Sequence, residues 1–208
     1  MGAARARRLH CPARMRGRQL GFLPRHRVEH GGDLARGKRK TRRPLDPKRP
    51  IHLVLRSSRA RGEASLLHPR RRKLVRDIVL RAAARHGVRV MNFVNVGNHL
   101  HVLIKTPTRL AFQNFLRQAA GQVAQAVTGA VKGRAVLGAP APGAPSARRK
   151  FWDSLAYTRV VAWGRDRANV AAYFVKNLAE ALGLPCPRRG ANLVIPRGVW
   201  PPVGEVWV

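Results

Sequence analysis

Acidic residues are scarce in this chain of 208 residues, which has 9 Asp and Glu against 42 Lys and Arg and a formal net charge of +33. A protein with this imbalance would repel itself strongly unless a polyanion neutralised it. Nucleic acid is the polyanion that such a basic surface fits best. The charge balance therefore predicts a nucleic-acid-binding protein.

Cysteines and long apolar runs are also rare. The two cysteines, Cys11 and Cys186, lie in the predicted tails without a Cys-x-x-Cys spacing, so neither a disulfide framework nor a cysteine zinc site is indicated. No apolar run approaches the roughly 20 residues that span a bilayer, and no apolar segment follows the arginine-rich start as in a secretory signal. We expect a cytoplasmic protein without membrane attachment. An organelle transit peptide stays open, because it is also rich in arginine.

Length and composition predict one domain with two tails. Residues 1–49 mix Arg, Lys, Gly and Pro without a sustained period, which predicts a disordered basic arm. The basic run 36–43 within it either contacts phosphates or is an idle solvated segment. We expect order over residues 50–183, interrupted by a Gly/Ala/Pro-rich linker at 131–149 and followed by a proline-rich tail at 184–208.

Seven elements are predicted in this domain from the spacing of apolar residues. Short β-branched runs indicate strands at 51–56, 88–96, 99–106 and 155–163. Apolar positions three and four residues apart indicate helices at 68–86, 109–130 and 165–182. This order predicts an α+β, ferredoxin-like fold, in which an antiparallel four-stranded sheet carries helices on one face and a further helix follows at the C-terminus.

The strand that begins at residue 99 carries two histidines. His99 and His101 are two residues apart, so their side chains project from the same face of the sheet. Their ring nitrogens can converge on one ion. An isolated His-x-His does not by itself define a metal site, because strand histidines are also found hydrogen-bonded in cores. His52 has no partner at a useful spacing and is interpreted as an edge or core residue.

The last predicted helix carries Tyr173 and Asn177, which are four residues apart and therefore share a face. A tyrosine on an apolar helix is ordinarily a core residue with its hydroxyl at the rim. The histidine pair together with Tyr-x-x-x-Asn forms a composite pattern that is more specific than either motif alone. In the segments Asn98-His99-Leu100-His101-Val102-Leu103-Ile104 and Tyr173-Phe174-Val175-Lys176-Asn177, the chain resembles the HUH single-tyrosine transposases, and among them the REP-associated tyrosine transposases.

The resemblance extends over about residues 50–183 and implies an activity. It implies that His99 and His101 bind a divalent metal with Asn177 as third ligand, and that Tyr173 is the catalytic nucleophile. The chain would nick and join single-stranded or hairpin DNA through a 5′-phosphotyrosine, near the bacterial nucleoid, as a monomer or a homodimer. Mg²⁺ or Mn²⁺ suits chemistry at phosphate oxygens, although two histidines also admit Zn²⁺. Leu178 stands where REP-associated members often have proline.

Basic residues near the expected site are predicted to guide the DNA towards it. They are Arg70, Arg71, Arg72, Lys105, Arg109 and Lys176.

Two other functions are compatible with the sequence. One is a non-catalytic nucleic-acid-binding module, including a domesticated transposase remnant, which would bind without metal. The other is a metallo-phosphoesterase with a histidine-based site, which would turn over without a tyrosyl intermediate. The position of Tyr173 and Asn177 relative to the two imidazoles discriminates among the three hypotheses.

Overall fold

A computed structural model describes residues 28–39, 41–130 and 150–185 of the chain. The predicted linker 131–149, residues 1–27 of the predicted arm and residues 186–208 of the predicted tail lie outside the described residues, as do both cysteines. Of the predicted arm and tail, the structure therefore describes only residues 28–39, 41–49 and 184–185.

The described residues form an α+β fold with a five-stranded antiparallel sheet and three α-helices. The strands are β1 (Glu29–His30), β2 (Ile51–Arg56), β3 (Arg89–Asn95), β4 (His99–Lys105) and β5 (Tyr157–Val160). The helices are α1 (Pro69–Arg85), α2 (Arg109–Thr128) and α3 (Arg165–Ala181). Short 3-10 turns occupy Gly32–Ala35 and Gly62–Ala64.

The sheet has five strands where the sequence predicts four, and its order is β1-β5-β2-β4-β3. The additional strand is β1, which pairs with β5 so that Glu29 lies opposite Arg159 and His30 opposite Thr158. This strand lies within residues 1–49, the segment predicted as a basic arm. Two residues are too short a strand to show a side-chain period, and main-chain pairing with the edge of β5 is what places them.

The helices α1 and α2 begin and end close to their predicted bounds, and residues at their ends explain why. His68 and Thr108 each accept a hydrogen bond from a main-chain N–H of the following turn, at the starts of α1 and α2. Pro69 occupies the first turn of α1, where its missing N–H costs nothing. Gly129 follows α2 in the left-handed conformation, with φ +68°. In contrast, β5 is shorter than predicted, because its pairing with β2 covers only Tyr157–Val160.

The two faces of the sheet are covered by different helices. One face packs against α1 and α2 around a core that includes Leu53, Leu100, Val102, Phe112 and Phe115. Full burial of each such side chain contributes roughly 1.5–3 kcal/mol. The opposite face packs against α3 through a second cluster, which consists of Val94, Leu103, Val161, Val170, Phe174 and Leu178. Because His52 and His101 contact Phe174, the histidines project from the face that α3 covers.

In the part of the chain that the structure describes, each helix is too short or too polar to cross a membrane.

Candidate functional site

The strand β4 places His99 and His101 side by side beneath α3. The register sets His101 opposite Val54 of β2 and Val94 of β3. The ring centroids of His99 and His101 are 4.6 Å apart and the ring planes are inclined at 76°. His101 is only 2% exposed, whereas His99 is half-buried. The two imidazoles therefore share one face, as the alternation of side chains along a strand requires.

Each of these imidazoles has one ring nitrogen engaged in a hydrogen bond. Nδ1 of His99 lies 2.6 Å from Oδ1 of Asn98, an arrangement in which Nδ1 donates and Nε2 keeps a lone pair. Nδ1 of His101 lies 3.1 Å from Nε2 of His52. Nε2 of His101 is buried and has no hydrogen-bond partner among the described residues. Since buried polar atoms almost always have partners, this orphaned nitrogen fits an atom that coordinates an ion.

Burial keeps the three histidines neutral. Burial first, and then the charges of His99 and His52, lower the pKa of His101 to about 3. Burial and Arg159 lower the pKa of His52 to about 4. Burial and Arg56 also lower the pKa of His99 below 6.5. At neutral pH all three rings are therefore in the unprotonated form that binds metals.

The helix α3 brings Tyr173 over the histidine pair. The ring of Tyr173 is edge-on to His101, with centroids 5.4 Å apart and planes at 89°, and it lies 6.2 Å from His52. Tyr173 is 47% exposed, so its ring is accessible as well as adjacent to the imidazoles. The neighbouring Phe174 is fully buried against His52 and His101 and anchors this turn of α3. The structure thus brings Tyr173, His99 and His101 together.

Asn177 is not brought to the same place. Its amide nitrogen donates to the main-chain oxygen of Tyr173 at 2.6 Å, and Asn177 is not part of the wall of the cleft above the histidines. The residues that α3 contributes to that wall are Asn169, Val170 and Tyr173. Asn169 precedes Tyr173 by the same four residues by which Asn177 follows it. The sequence thus has an amide at this spacing on each side of Tyr173, and the prediction considered only Asn177. The role of Asn177 as a ligand stays a prediction.

The cleft above the histidines has a volume of about 1350 Å³. This exceeds the roughly 300–1,000 Å³ of a small-molecule pocket, so its size suits a segment of a polymer. Among the described residues, four Lys and Arg side chains line it, namely Arg36, Lys38, Arg56 and Arg159. Two acidic side chains, Asp33 and Asp153, also line it and pair with Arg36 and Arg56 at 3.4 and 3.9 Å. Arg159 is paired with Asp166 at 2.8 Å, so three of these four basic side chains already have an acidic partner.

Both tyrosines of the sequence line this cleft, but their environments differ. Burial first, and then the charge and hydrogen bond of Glu29, raise the pKa of Tyr157 to about 12, against an opposing effect of Arg159. The phenol of Tyr157 therefore holds its proton more tightly than an ordinary tyrosine does, so a smaller fraction of it is ionised at neutral pH. Tyr173 has the more exposed ring of the two.

None of the six predicted DNA-contacting residues lines this cleft. Arg70, Arg71 and Arg72 lie in the first turn of α1, a helix that covers the opposite face of the sheet. Lys105 ends β4, six residues beyond His99, with its Nζ 6.0 Å from the centre of the Trp163 ring. The predicted contacts therefore stay predictions. Of the four basic residues that line the cleft, Arg36 and Lys38 belong to the basic run 36–43 noted in the sequence, whereas the sequence did not single out Arg56 and Arg159.

The remaining two predicted contacts also lie elsewhere. Arg109 begins α2 and lines a separate pocket of about 340 Å³ together with Arg43 and Arg117. Lys176 is exposed on α3 and lies 3.7 Å from Glu180.

Within residues 28–39, 41–130 and 150–185, no group of three or more His, Cys, Asp or Glu side chains is placed to hold a metal ion. A cation bound by His99 and His101 would therefore need further ligands of another type, such as an amide oxygen or the oxygens of a phosphate. The available ring nitrogens of the two histidines fit such an ion.

No protein-family model and no curated protein matches the chain. Among solved structures, it is similar to a REP-associated tyrosine transposase bound to a REP hairpin, with 10% identity, a TM-score of 0.47 and coverage of 69% of this chain and 74% of that one. It is also similar to a Deinococcus radiodurans R1 protein provisionally named a transposase, with 17% identity, a TM-score of 0.38 and coverage of 65% and 95%. The structure thus resembles solved transposases at low identity, and a likeness at this level assigns no role to any single residue of this chain.

Proposed function

We propose that this chain is a metal-dependent enzyme of the HUH type, which nicks single-stranded DNA and transfers the strand through a phosphotyrosine during DNA transposition. The observation that supports this most directly is the position of Tyr173, whose exposed ring lies edge-on to His101. Nε2 of His101 is buried and lacks a hydrogen-bond partner in the described part of the chain. The side chain proposed as nucleophile and the two side chains proposed as nitrogen ligands are therefore neighbours in one cleft.

His99 and His101 would hold a divalent ion, Mg²⁺ or Mn²⁺, through their Nε2 atoms, with Asn177 proposed as third ligand. Asn169, which lines the cleft, is the alternative amide. When bound, the ion would offset the negative charge that develops on the reacting phosphate.

Tyr173 would supply the attacking oxygen. Its phenol loses its proton as the oxygen forms a bond to phosphorus, and the bond from phosphorus to the 3′ oxygen of the preceding nucleotide breaks. The products are a free 3′ hydroxyl and a 5′-phosphotyrosine. Because the covalent link keeps the phosphodiester energy, a second 3′ hydroxyl can displace the tyrosine without ATP.

The proposed substrate is single-stranded or hairpin DNA. Arg36, Lys38, Arg56 and Arg159 line the cleft and would contact successive phosphates of a flexible strand. The chain would work in the bacterial cytoplasm at the nucleoid, as a monomer or a homodimer. The proposed layout is ferredoxin-like, with β5-β2-β4-β3 as its four strands and β1 added at the edge.

The test is a search for the covalent adduct. Wild-type protein incubated with Mn²⁺ or Mg²⁺ and a labelled single strand bearing a hairpin should give a band that survives denaturation, and a chelator should remove it. Tyr173→Phe should abolish the band. Tyr157→Phe, which changes the other tyrosine of the chain, should retain it. A band that persists in Tyr173→Phe, or a DNA-linked peptide that contains Tyr157, would contradict the proposal.

A second candidate is a non-catalytic DNA-binding module, and the contact of Asn177 favours it. The amide nitrogen of Asn177 donates to the main chain of Tyr173, and Asn177 does not line the cleft that contains the histidine pair. Such a module would bind DNA in a salt-sensitive manner, with no effect of metal. The wild-type protein would then give no adduct with any hairpin substrate in the same assay.

A further inference from the structure

We infer that His52 is a positioning residue for the metal site, in which Nε2 of His52 accepts a hydrogen bond from Nδ1–H of His101 and so leaves the lone pair of His101 on Nε2. This inference rests on the proposed function, since it assigns a role towards the ion that His99 and His101 would bind.

The contact between the two rings is direct and buried. Nε2 of His52 and Nδ1 of His101 are 3.1 Å apart. The ring centroids are 5.4 Å apart and the planes are inclined at 27°, so the two rings meet edge to edge through these nitrogens. His52 is 6% exposed and His101 is 2% exposed. Water therefore does not compete for this hydrogen bond, and the pair is held as a unit.

The register of the sheet creates this contact. His52 lies opposite Leu103 and His101 lies opposite Val54 in the β2–β4 ladder. The two histidines are therefore diagonal neighbours on one face, a separation that ring side chains can bridge. Phe174, which contacts both rings, packs over them from α3. A shift of one residue in this register would turn both rings towards the opposite face.

The tautomer of His101 depends on which of the two rings donates in this contact. A neutral imidazole has one N–H and one lone pair, so one ring must donate in this contact and the other must accept. If His101 donates from Nδ1, its Nε2 is a lone pair that can bind a cation. If His52 donates instead, Nε2 of His101 carries a buried N–H that finds no acceptor among the described residues. Only the first arrangement leaves a nitrogen that a metal can use.

Histidine ligands generally donate their second ring nitrogen to a carboxylate, a main-chain carbonyl or water. In this chain the hydrogen-bond acceptor for His101 would be a second histidine, His52. The acceptor for His99 is Oδ1 of Asn98. The arrangement orients both rings before an ion arrives.

Metal affinity of the full chain without DNA tests this role. Titration calorimetry with Mn²⁺ should show about tenfold to hundredfold weaker binding for His52→Leu, which removes the acceptor. His52→Gln should bind close to wild type, because its side-chain oxygen can still accept from Nδ1 of His101. His86→Leu is the matched control, since His86 is half-buried and hydrogen-bonded to Gln118 at 2.8 Å at the end of α1. It should leave the affinity unchanged.

A second measurement needs no substitution that risks unfolding. In the metal-free wild type, nitrogen-15 NMR of the histidine rings should find the His101 proton on Nδ1. A proton on Nε2 of His101 would overturn the inference. It would also be overturned if His52→Leu bound Mn²⁺ as tightly as wild type does, or if the wild-type chain did not bind Mn²⁺ at all. Failure of the nicking reaction is separable, because a chain that binds Mn²⁺ through this pair but forms no adduct would contradict only the proposed activity.

Discussion

Arg159 and Asp166 form a two-pronged ion pair that joins β5 to the first turn of α3. Nη2 of Arg159 donates to Oδ1 of Asp166 at 2.8 Å, and Nη1 donates to Oδ2 at 3.3 Å. Oδ2 also accepts from the main-chain N–H of Ala162 at 2.9 Å. Because Tyr173 lies two turns further along α3, this pair helps to set the position of the tyrosine over the histidines.

Removing the charge of Asp166 should destabilise the domain. Asp166→Asn keeps the shape but loses the charge-assisted hydrogen bonds, and we expect a loss of about 1–2 kcal/mol in the free energy of unfolding, because the pair is partly exposed. Glu180→Gln is the control, since its pair with Lys176 is exposed on α3 and is worth at most about 0.5 kcal/mol. Urea denaturation measures both. Equal stability of the two variants would contradict this role for Asp166.

The cost of Asp166→Asn should depend on pH. Burial alone would raise the pKa of Asp166, but the hydrogen bonds from Arg159 and Ala162 and the charge of Arg159 outweigh it and lower the pKa below 3.8. The folded state then holds the proton less tightly than the unfolded state, so the stabilisation is present above pH 3.8 and is lost as the pH falls through the folded pKa. The difference in stability between wild type and Asp166→Asn should therefore shrink below pH 3.8. A difference that grows with acidity would be inconsistent with this sign.

The stability of a Gly31→Ala variant tests whether the strand β1, which precedes Gly31, is part of the folded domain. Gly31 has φ +83°, and a Cβ atom at this position would overlap the main-chain oxygen of Ala156. We expect Gly31→Ala to cost more than about 2 kcal/mol, as backbone strain and overlap add together. Gly37 also has a positive φ of 66° but has nothing within 4 Å of the added atom. Gly37→Ala should therefore cost only about 1 kcal/mol. Similar thermal stability of the two variants would show that β1 is dispensable.

Substitutions of Arg56 and Arg70 distinguish DNA binding in the cleft from DNA binding at the first turn of α1. Arg56 lines the cleft, whereas Arg70 lies in the first turn of α1. Arg56→Ala should weaken binding of single-stranded DNA several-fold. It should also reduce the slope of log K against log salt by about 0.7, as expected for one lost phosphate contact. Arg70→Ala should have the smaller effect on both quantities, because Arg70 does not line the cleft. Fluorescence anisotropy at several salt concentrations measures both, and a larger effect of Arg70→Ala would place the DNA on the other side of the sheet.

Much of the local structure was predictable because its signals are local. Hydrogen bonds within a turn and the side-chain period define α1 and α2, and their start signals, Pro69 for α1 and Thr108 for α2, are visible in the sequence. The shared face of His99 and His101 follows from the pleat of a single strand. The amino-acid sequence by itself therefore determined where the helices lie, which two histidines stand together and which partner class the charge favours.

Only the tertiary structure decided which residues from other elements meet that pair. The β2–β4 register brings His52 to His101, and the packing of Phe174 directs Asn169 and Tyr173, rather than Asn177, to the cleft. The pairing of β1 with β5 depends equally on a distant edge. These contacts join residues far apart in sequence, and a shift of one residue in strand register or a rotation of α3 would replace them without altering any local pattern.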